Sequence, residues 1–352
     1  MGRVIDRVVG ALIGAARRSP EYASLTRDVA ERMMAARRAG ERTAPAQAGA
    51  EPGADGGNPA PTTTNRPMRQ DLFLFRHPSG HYYSPIPSYD DLERDQQRIF
   101  ATHKRDLPGI RIDEPRMRNY LDRFAPYYSE FPYSEERDAQ LRFYLDNETY
   151  SRGDAVVLYS MMRLLQPQRV IEIGSGLSTW LMVDINERFF GNRIKLVSVD
   201  PYPERVEDGL RGDDRKHIEI LPHRVQDVDL RMFADLEPND IVFIDSTHVS
   251  KCDSDVNRIF FEILPALKPG VLIHFHDTFW PFEYPRQWLL EIGVAWNEVY
   301  QMRAFLQYNR AFEIEFFSDY VANFMRAEAE ASIPVFLRGP GSSIWLRRAA
   351  AD

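Results

Sequence analysis

The chain has 352 residues, of which 43% are hydrophobic and 27% charged, a balance typical of a soluble globular protein. A formal net charge of −8 argues against a general nucleic-acid binder, because that role requires an excess of Lys and Arg. The single cysteine, Cys252, excludes an internal disulfide framework and a Cys-cluster zinc site, and it indicates a cytoplasmic protein.

The first 67 residues are predicted to form two segments. Apolar residues alternate with Arg at helical spacing over residues 1–42, which predicts a basic helix. That helix could touch a membrane surface or a partner protein, or it could be an ordinary surface helix. No segment reaches the roughly 20 consecutive apolar residues that a membrane span requires. Residues 43–67 are largely Ala, Gly, Pro and Thr, so we expect a disordered linker there.

Residues 68–150 are rich in Tyr, Phe, Pro and Arg, and we expect them to form a lid of helices and irregular loops. Ser88 has the character of an N-cap, because acidic residues follow it in the first turn of a predicted helix. A second helix is expected over Ser134–Asn147. Tyr82, Tyr83 and Ser84 could close over a small-molecule ligand, or they could serve only to dock the lid.

Residues 151–349 alternate short apolar runs with amphipathic helices. Helices are predicted at 154–166, 178–190 and 254–267, and strands at 169–174, 195–200, within 217–227, and at 240–246, 270–277, 313–320 and 342–348. This alternation is typical of an α/β, doubly wound, mostly parallel sheet covered by helices on both faces. The last two strands follow each other without a long helix, so we expect at least one to be antiparallel.

The stretch RVIEIGSGLST contains a strand, a glycine turn and the start of a helix. Gly174 and Gly176 allow the backbone to approach a ligand closely, and Asp200 at the end of the next strand could bind both ribose hydroxyls of an adenosine cofactor. A dinucleotide site would need a third glycine where Thr179 stands. Glu172 suits a cationic ligand better than a pyrophosphate. The pattern therefore favours S-adenosylmethionine over NAD.

From about Asn147 to Arg348 the chain resembles the class I S-adenosylmethionine-dependent methyltransferases. It is most similar to the group with Asp-x-x-His after strand four and His-Asp after strand five, which includes sugar and macrolide O-methyltransferases. The resemblance implies a seven-stranded Rossmann-like sheet with a terminal antiparallel strand. It also implies that Asp200 binds the ribose, that Asp227 lies near the adenine amino group, and that the methionine moiety lies at Glu172, Gly174, Ser175, Gly176 and Ser178. At the third small position of the class motif this chain has Ser178 rather than Gly.

Polar residues follow the fourth and fifth predicted strands. Asp245 and His248 follow the fourth, and His276 and Asp277 follow the fifth, so these ends should meet at one edge of the sheet. His248 is our candidate general base, with Asp245 and Asp277 facing the methyl-transfer centre. The resemblance implies that acids at these two positions hold Mg²⁺. Because His276 is an imidazole, a metal bound by Asp245, His276 and Asp277 would shift in preference from Mg²⁺ towards Mn²⁺, Fe²⁺ or Zn²⁺.

Other interpretations of these residues stay open. His248 could cap a turn, and His276 could orient Asp277 in a metal-free site. His274 lies deeper on the same strand and is expected to be a core residue. The leading hypothesis is O-methylation of a sugar or a glycosylated small molecule. The alternatives are a nicotinamide-dependent oxidoreductase and a non-catalytic cofactor-binding module tethered to an assembly. The sequence does not define the acceptor or the oligomeric state.

Overall fold

A seven-stranded sheet lies at the centre of the fold. The computed structural model describes residues 77–101, 104–147 and 149–350. The predicted helix at 1–42 and linker at 43–67 lie outside the described residues. The strands are β1 (Arg169–Ile173), β2 (Lys195–Val199), β3 (Ile218–Leu221), β4 (Ile241–Ile244), β5 (Leu272–Phe275), β6 (Phe312–Phe317) and β7 (Ile344–Arg348).

The strand order is β3-β2-β1-β4-β5-β7-β6. Strands β1 to β5 pair in parallel, and β7 runs antiparallel to both β5 and β6. The four residues of β4 and the four of β5 are all buried, as expected for central strands covered on both faces. The prediction of a doubly wound, Rossmann-like sheet with an antiparallel strand near its end is confirmed.

Helices alternate with the strands and cover the sheet. They are α1 (Tyr89–Ile99), α2 (Glu114–Tyr128), α3 (Arg152–Leu165), α4 (Leu177–Phe190), α5 (Glu204–Glu207), α6 (Arg231–Ala234), α7 (Asp255–Arg258), α8 (Leu264–Ala266), α9 (Glu298–Leu306), α10 (Ser318–Phe324) and α11 (Arg326–Ser332). A π-helical turn, Ile259–Ile263, joins α7 to α8, and another spans Trp288–Ile292. None of the helices in the described part of the chain is long and apolar enough to cross a membrane.

The segment before the sheet is helical and irregular, but one of its predicted helices is wrong. Ser88 caps α1 as expected, because its hydroxyl accepts a hydrogen bond from the Asp91 N–H. The helix predicted at Ser134–Asn147 is absent, and the structure forms α2 further upstream instead. Leu141, Phe143 and Leu145 are buried. Arg142 between them is buried as well, and the N–H groups of Arg142 and Phe143 both donate to the Asp184 carboxylate rather than to carbonyls of a helix.

Candidate functional site

A cavity of about 510 Å³ lies beyond the carboxyl ends of β1 to β4. In open α/β sheets, ligands bind in this crevice. The hydrogen-bond ladder of the sheet continues for one residue beyond β1, β2 and β4. The N–H groups of Gly174, Asp200 and Asp245 donate to the carbonyl oxygens of Val199, Leu221 and Ile173, respectively. These hydrogen bonds place three predicted site residues side by side. The cavity wall includes Gly174, Ser175, Asp200, Tyr202, Val225, Gln226 and Asp245.

Asp200 is held in a fixed orientation at the end of β2. The Ser175 hydroxyl donates to its Oδ2 at 2.6 Å, and the Tyr202 N–H donates to its Oδ1 at 2.8 Å. The glycine turn and the carboxylate predicted to bind ribose are therefore in direct contact. A carboxylate presented in this way can accept hydrogen bonds from a vicinal diol.

Glu172 lies beneath the glycine turn and is buried. Its two carboxylate oxygens accept hydrogen bonds from the Ser178 and Thr179 hydroxyls at 2.7 and 2.6 Å, and Thr179 Oγ1 also accepts from the Gly176 N–H. Burial raises the pKa of Glu172 to about 8, although these hydroxyls favour ionisation. The cavity is not lined by Glu172, Gly176 or Ser178. These residues support the glycine turn from the side facing away from the cavity.

Asp227 lies outside the cavity wall. Its carboxylate accepts two hydrogen bonds from Arg224, both at 2.9 Å, on the protein surface. The neighbouring residues Val225 and Gln226 do line the cavity. The predicted contact of Asp227 with adenine stays a prediction.

The polar residues after β4 and β5 form one cluster. His248 Nε2 lies 3.3 Å from Asp245 Oδ1 and 3.6 Å from Asp277 Oδ2. His276 Nδ1 lies 3.6 Å from Asp245 Oδ1 and 3.4 Å from Asp277 Oδ1. Asp245 also belongs to the cavity wall, so the cluster adjoins the cavity. His248 and Asp277 adopt positive φ angles of 59° and 53°, an uncommon conformation that often marks functional residues.

Two buried carboxylates that the sequence analysis did not identify complete this cluster. Glu298, in the first turn of α9, has its Oε2 2.8 Å from His248 Nδ1. Asp154, in the first turn of α3, has its Oδ2 3.3 Å from His276 Nε2. Each histidine therefore has a buried carboxylate on one side, Glu298 for His248 and Asp154 for His276. On its other side each faces Asp245 and Asp277. Acids are common in the first turn of a helix because they interact favourably with the helix dipole, so neither residue stands out in the sequence.

Ion pairing controls protonation in the cluster. Burial disfavours the charged ring of His248, but Asp245 and Glu298 outweigh burial and raise its pKa to about 10. Burial is likewise outweighed at His276, where Asp277 and Asp245 raise the pKa well above its usual value. Burial opposes ionisation of Asp245, yet His276 and His248 hold the pKa of its carboxyl well below the usual range. Without a bound cation, both imidazoles are therefore protonated at neutral pH.

The donor atoms of Asp245, His248 and Asp277 fit a divalent metal ion. One ligand atom from each of these residues lies within 4.8 Å of the other two. This set contains His248 where the sequence analysis expected His276. Two carboxylates and an imidazole suit Mn²⁺, Fe²⁺ or Zn²⁺ better than Mg²⁺, which prefers oxygen ligands. A metal on His248 Nε2 would occupy the nitrogen that a general base needs, because Nδ1 already contacts Glu298.

The three lid residues proposed for the acceptor are not brought to the cluster. Tyr82 and Tyr83 are 82% and 68% exposed. Their rings contact each other and the ring of His81, and the Ser84 hydroxyl accepts a hydrogen bond from the Ile86 N–H. A role for Tyr82, Tyr83 and Ser84 in acceptor binding stays a prediction.

His274 is a core residue, as expected. It is fully buried, and its ring stacks on Phe243 with centroids 3.9 Å apart. Burial lowers its pKa to about 3, so the ring is neutral at physiological pH. This residue lies behind the cluster and supports the strand that carries His276.

The chain is similar in sequence and in fold to several known proteins. A sequence model described as a methyltransferase domain matches residues 171–278, which extend from β1 to just beyond Asp277. An uncharacterised protein of Archaeoglobus fulgidus is 31% identical over 167 residues, which are 46% of this chain and 74% of that protein. The O-methyltransferase TomG from Streptomyces achromogenes, in complex with SAM, is 15% identical, with a TM-score of 0.38 over 68% of this chain and 92% of TomG. An O-methyltransferase from Bacillus cereus in complex with SAH is 11% identical, with a TM-score of 0.33 over 74% of this chain and all of that one.

Proposed function

We propose that this chain, which belongs to the class I S-adenosylmethionine-dependent methyltransferases, methylates a hydroxyl group of a sugar or a glycosylated small molecule. The observation that carries the proposal is the position of His248 Nε2 between Asp245 and Asp277, at the edge of the cavity. An imidazole beside two carboxylates suits an acceptor that must lose a proton as it is methylated. Because the family is a methyltransferase family, we set aside the nicotinamide-dependent oxidoreductase and the non-catalytic module.

The cavity at the carboxyl ends of β1 to β4 is our proposed cofactor site. Bound there, S-adenosylmethionine would supply the methyl group of its sulfonium, and the rest of the cofactor would leave as a neutral thioether, S-adenosylhomocysteine. We assign the methionine moiety to the glycine turn at Gly174 and Ser175 and the ribose hydroxyls to Asp200. Asp227 would bind the adenine amino group through the acceptor sites that its pair with Arg224 leaves free.

His248 is the proposed general base. An aliphatic hydroxyl is a poor nucleophile until its proton is removed or shared, and His248 Nε2 is the ring nitrogen that faces away from Glu298. In the protein without cofactor, the surrounding carboxylates keep the ring protonated. A positively charged ligand beside Asp245 would offset those carboxylates and lower the pKa of His248 towards neutrality, so that the ring could accept the proton.

Asp245 and Asp277 have two compatible roles. They can orient the acceptor hydroxyl by hydrogen bonds, and they can hold a divalent metal ion. When bound, such an ion lowers the pKa of a coordinated hydroxyl and fixes its direction. If His248 is the base, the protein supplies the metal with oxygen ligands from the two aspartates, and Mg²⁺ or Mn²⁺ then fits.

The direct test is methyl transfer from S-adenosyl-L-methionine carrying a radioactive methyl group to a panel of sugars, glycosides and glycosylated metabolites. We expect the label on an oxygen atom of a polyhydroxylated acceptor, identified by mass spectrometry of the product. Matched acceptors that offer only amine or thiol groups serve as controls. Efficient labelling of those controls, with no labelling of hydroxyl acceptors, would contradict the proposal.

A further inference from the structure

The side chain of His248 is held by the three consecutive residues Trp296, Asn297 and Glu298, which we call the 296–298 cradle. Glu298 Oε2 lies 2.8 Å from His248 Nδ1. The ring of Trp296 stacks on the imidazole, with centroids 4.4 Å apart and an interplanar angle of 29°. The cradle therefore contacts both one edge and one face of the ring.

The cradle also holds the main chain of His248. The N–H groups of Asn297 and Glu298 both donate to the His248 carbonyl, at 3.2 and 3.1 Å. The Asn297 side chain accepts from the Ser250 N–H at 2.6 Å and donates to the Ser250 carbonyl at 3.1 Å. These hydrogen bonds hold the main chain of His248 at its positive φ angle, a conformation that is unfavourable for residues other than glycine unless the surrounding structure stabilises it.

The position of Glu298 is hard to explain by helix capping alone. An acid in the first turn of a helix normally reaches into solvent, whereas Glu298 is only 2% exposed. Its Oε1 has no hydrogen-bond partner among the described residues, so His248 is the group that compensates for burial of this carboxylate. Removing a carboxylate from water is costly, and a specific partner is needed to retain it.

The geometry points to Glu298 as a positioning residue for His248. Its carboxylate accepts the Nδ1 proton, so that the ring keeps this proton when it loses the one on Nε2, and Nε2 stays directed at Asp245 and Asp277, 3.3 and 3.6 Å away. Trp296 and Asn297 hold the ring and the main chain in the same orientation. This inference rests on the proposed function, since it assigns how the proposed base is oriented.

Proton NMR of the full-length protein tests the pairing without any acceptor. The Nδ1 proton of His248 should give a signal far downfield of the amide region, identified by its loss in the His248→Asn variant. We expect Glu298→Ala to abolish this signal and Glu298→Gln to shift it. Glu291→Gln is the matched control, because Glu291 is an exposed acid that pairs with Arg286, and it should leave the signal unchanged. Persistence of the signal in Glu298→Ala would overturn the inference.

Kinetics with a hydroxyl acceptor from the labelling panel provide the second readout. Loss of an orienting carboxylate should lower kcat by roughly a hundredfold and leave the KM for S-adenosylmethionine within about threefold. An unchanged kcat in Glu298→Gln, or a change confined to KM, would overturn the inference. If Glu298→Ala does not fold, the Glu298→Gln variant and the wild-type spectrum still decide it. If no hydroxyl acceptor is methylated, the proposed function fails, while the NMR result still decides the pairing.

Discussion

A Cβ on Gly174 would overlap the main-chain carbonyl oxygen of Asp245. Gly174 follows β1 and Asp245 follows the neighbouring strand β4, so the glycine turn and the polar cluster are in contact through the main chain. The absence of a side chain at Gly174 is what allows the cavity and the cluster to adjoin each other.

Replacement of Gly174 by Ala should disrupt both folding and cofactor binding. The substitution combines a φ angle of +88° with a clash against backbone, so we expect a loss of more than about 3 kcal/mol in the free energy of unfolding. Gly191→Ala is the control, because its φ is +58° but no atom lies within 4 Å of the added Cβ. It should cost only about 1 kcal/mol. Urea unfolding and calorimetry with S-adenosylmethionine measure both effects, and equal losses in the two variants would refute the role of the contact.

Stability should fall with rising pH because of Glu172. Its pKa is about 8 in the folded protein, against about 4.5 when exposed, so the folded state holds an extra proton between these values. The stabilisation that this proton provides is complete below about pH 4.5 and is lost as the pH rises to about 8. Between these values the free energy of unfolding should fall by at most about 1.4 kcal/mol per pH unit. Glu172→Gln removes this dependence.

Urea unfolding at pH 5, 7 and 9 measures the dependence. The free energy of unfolding of Glu172→Gln should increase relative to wild type at each step. Glu219→Gln, which changes an exposed residue of β3, is the control and should show a constant difference. A constant difference for Glu172→Gln as well would show that Glu172 ionises normally in the folded protein.

Loss of His248 should strongly reduce turnover without preventing cofactor binding. General-base catalysis contributes about 100- to 10,000-fold, so His248→Asn should lower kcat by that factor for a labelled hydroxyl acceptor. Binding of S-adenosylmethionine, measured by calorimetry, should change by less than about threefold, because His248 is not among the residues lining the cavity. His217→Asn changes an exposed histidine and should retain wild-type activity. Full activity of His248→Asn would rule out the base assignment.

Binding of Mn²⁺ should depend on Asp245 and Asp277. After treatment with EDTA and its removal, titration with Mn²⁺ should give a binding signal that either Asp245→Asn or Asp277→Asn removes. Asp253→Asn is the control, because Asp253 is an exposed acid that also lines the cavity. Mg²⁺ should bind more weakly if His248 is a ligand and comparably if the ligands are the two aspartates. Mn²⁺ binding that survives both Asn substitutions would place the metal elsewhere.

Much of the fold could be predicted because its signals are local. Short apolar runs between helices indicated the parallel strands, and the i, i+3 spacing of Asp245 and His248 brought those residues together. Glu298 and Asp154 were missed because they approach the cluster from 50 and 122 residues away. A single sequence does not show that a first-turn acid is turned inward. The wrong helix at 134–147 has a similar cause, because packing of Leu141 and Phe143 against the core outweighs local propensity.

The position of β7 has a consequence for biosynthesis. This strand is made after β6, yet it lies between β5 and β6 and pairs with both. As the chain leaves the ribosome, β5 therefore presents an unpaired edge until residue 348 has emerged. Exposed strand edges can pair with other chains, so we expect the nascent protein to be prone to aggregation during this interval, and a stop codon shortly before β7 would make the vulnerable state permanent.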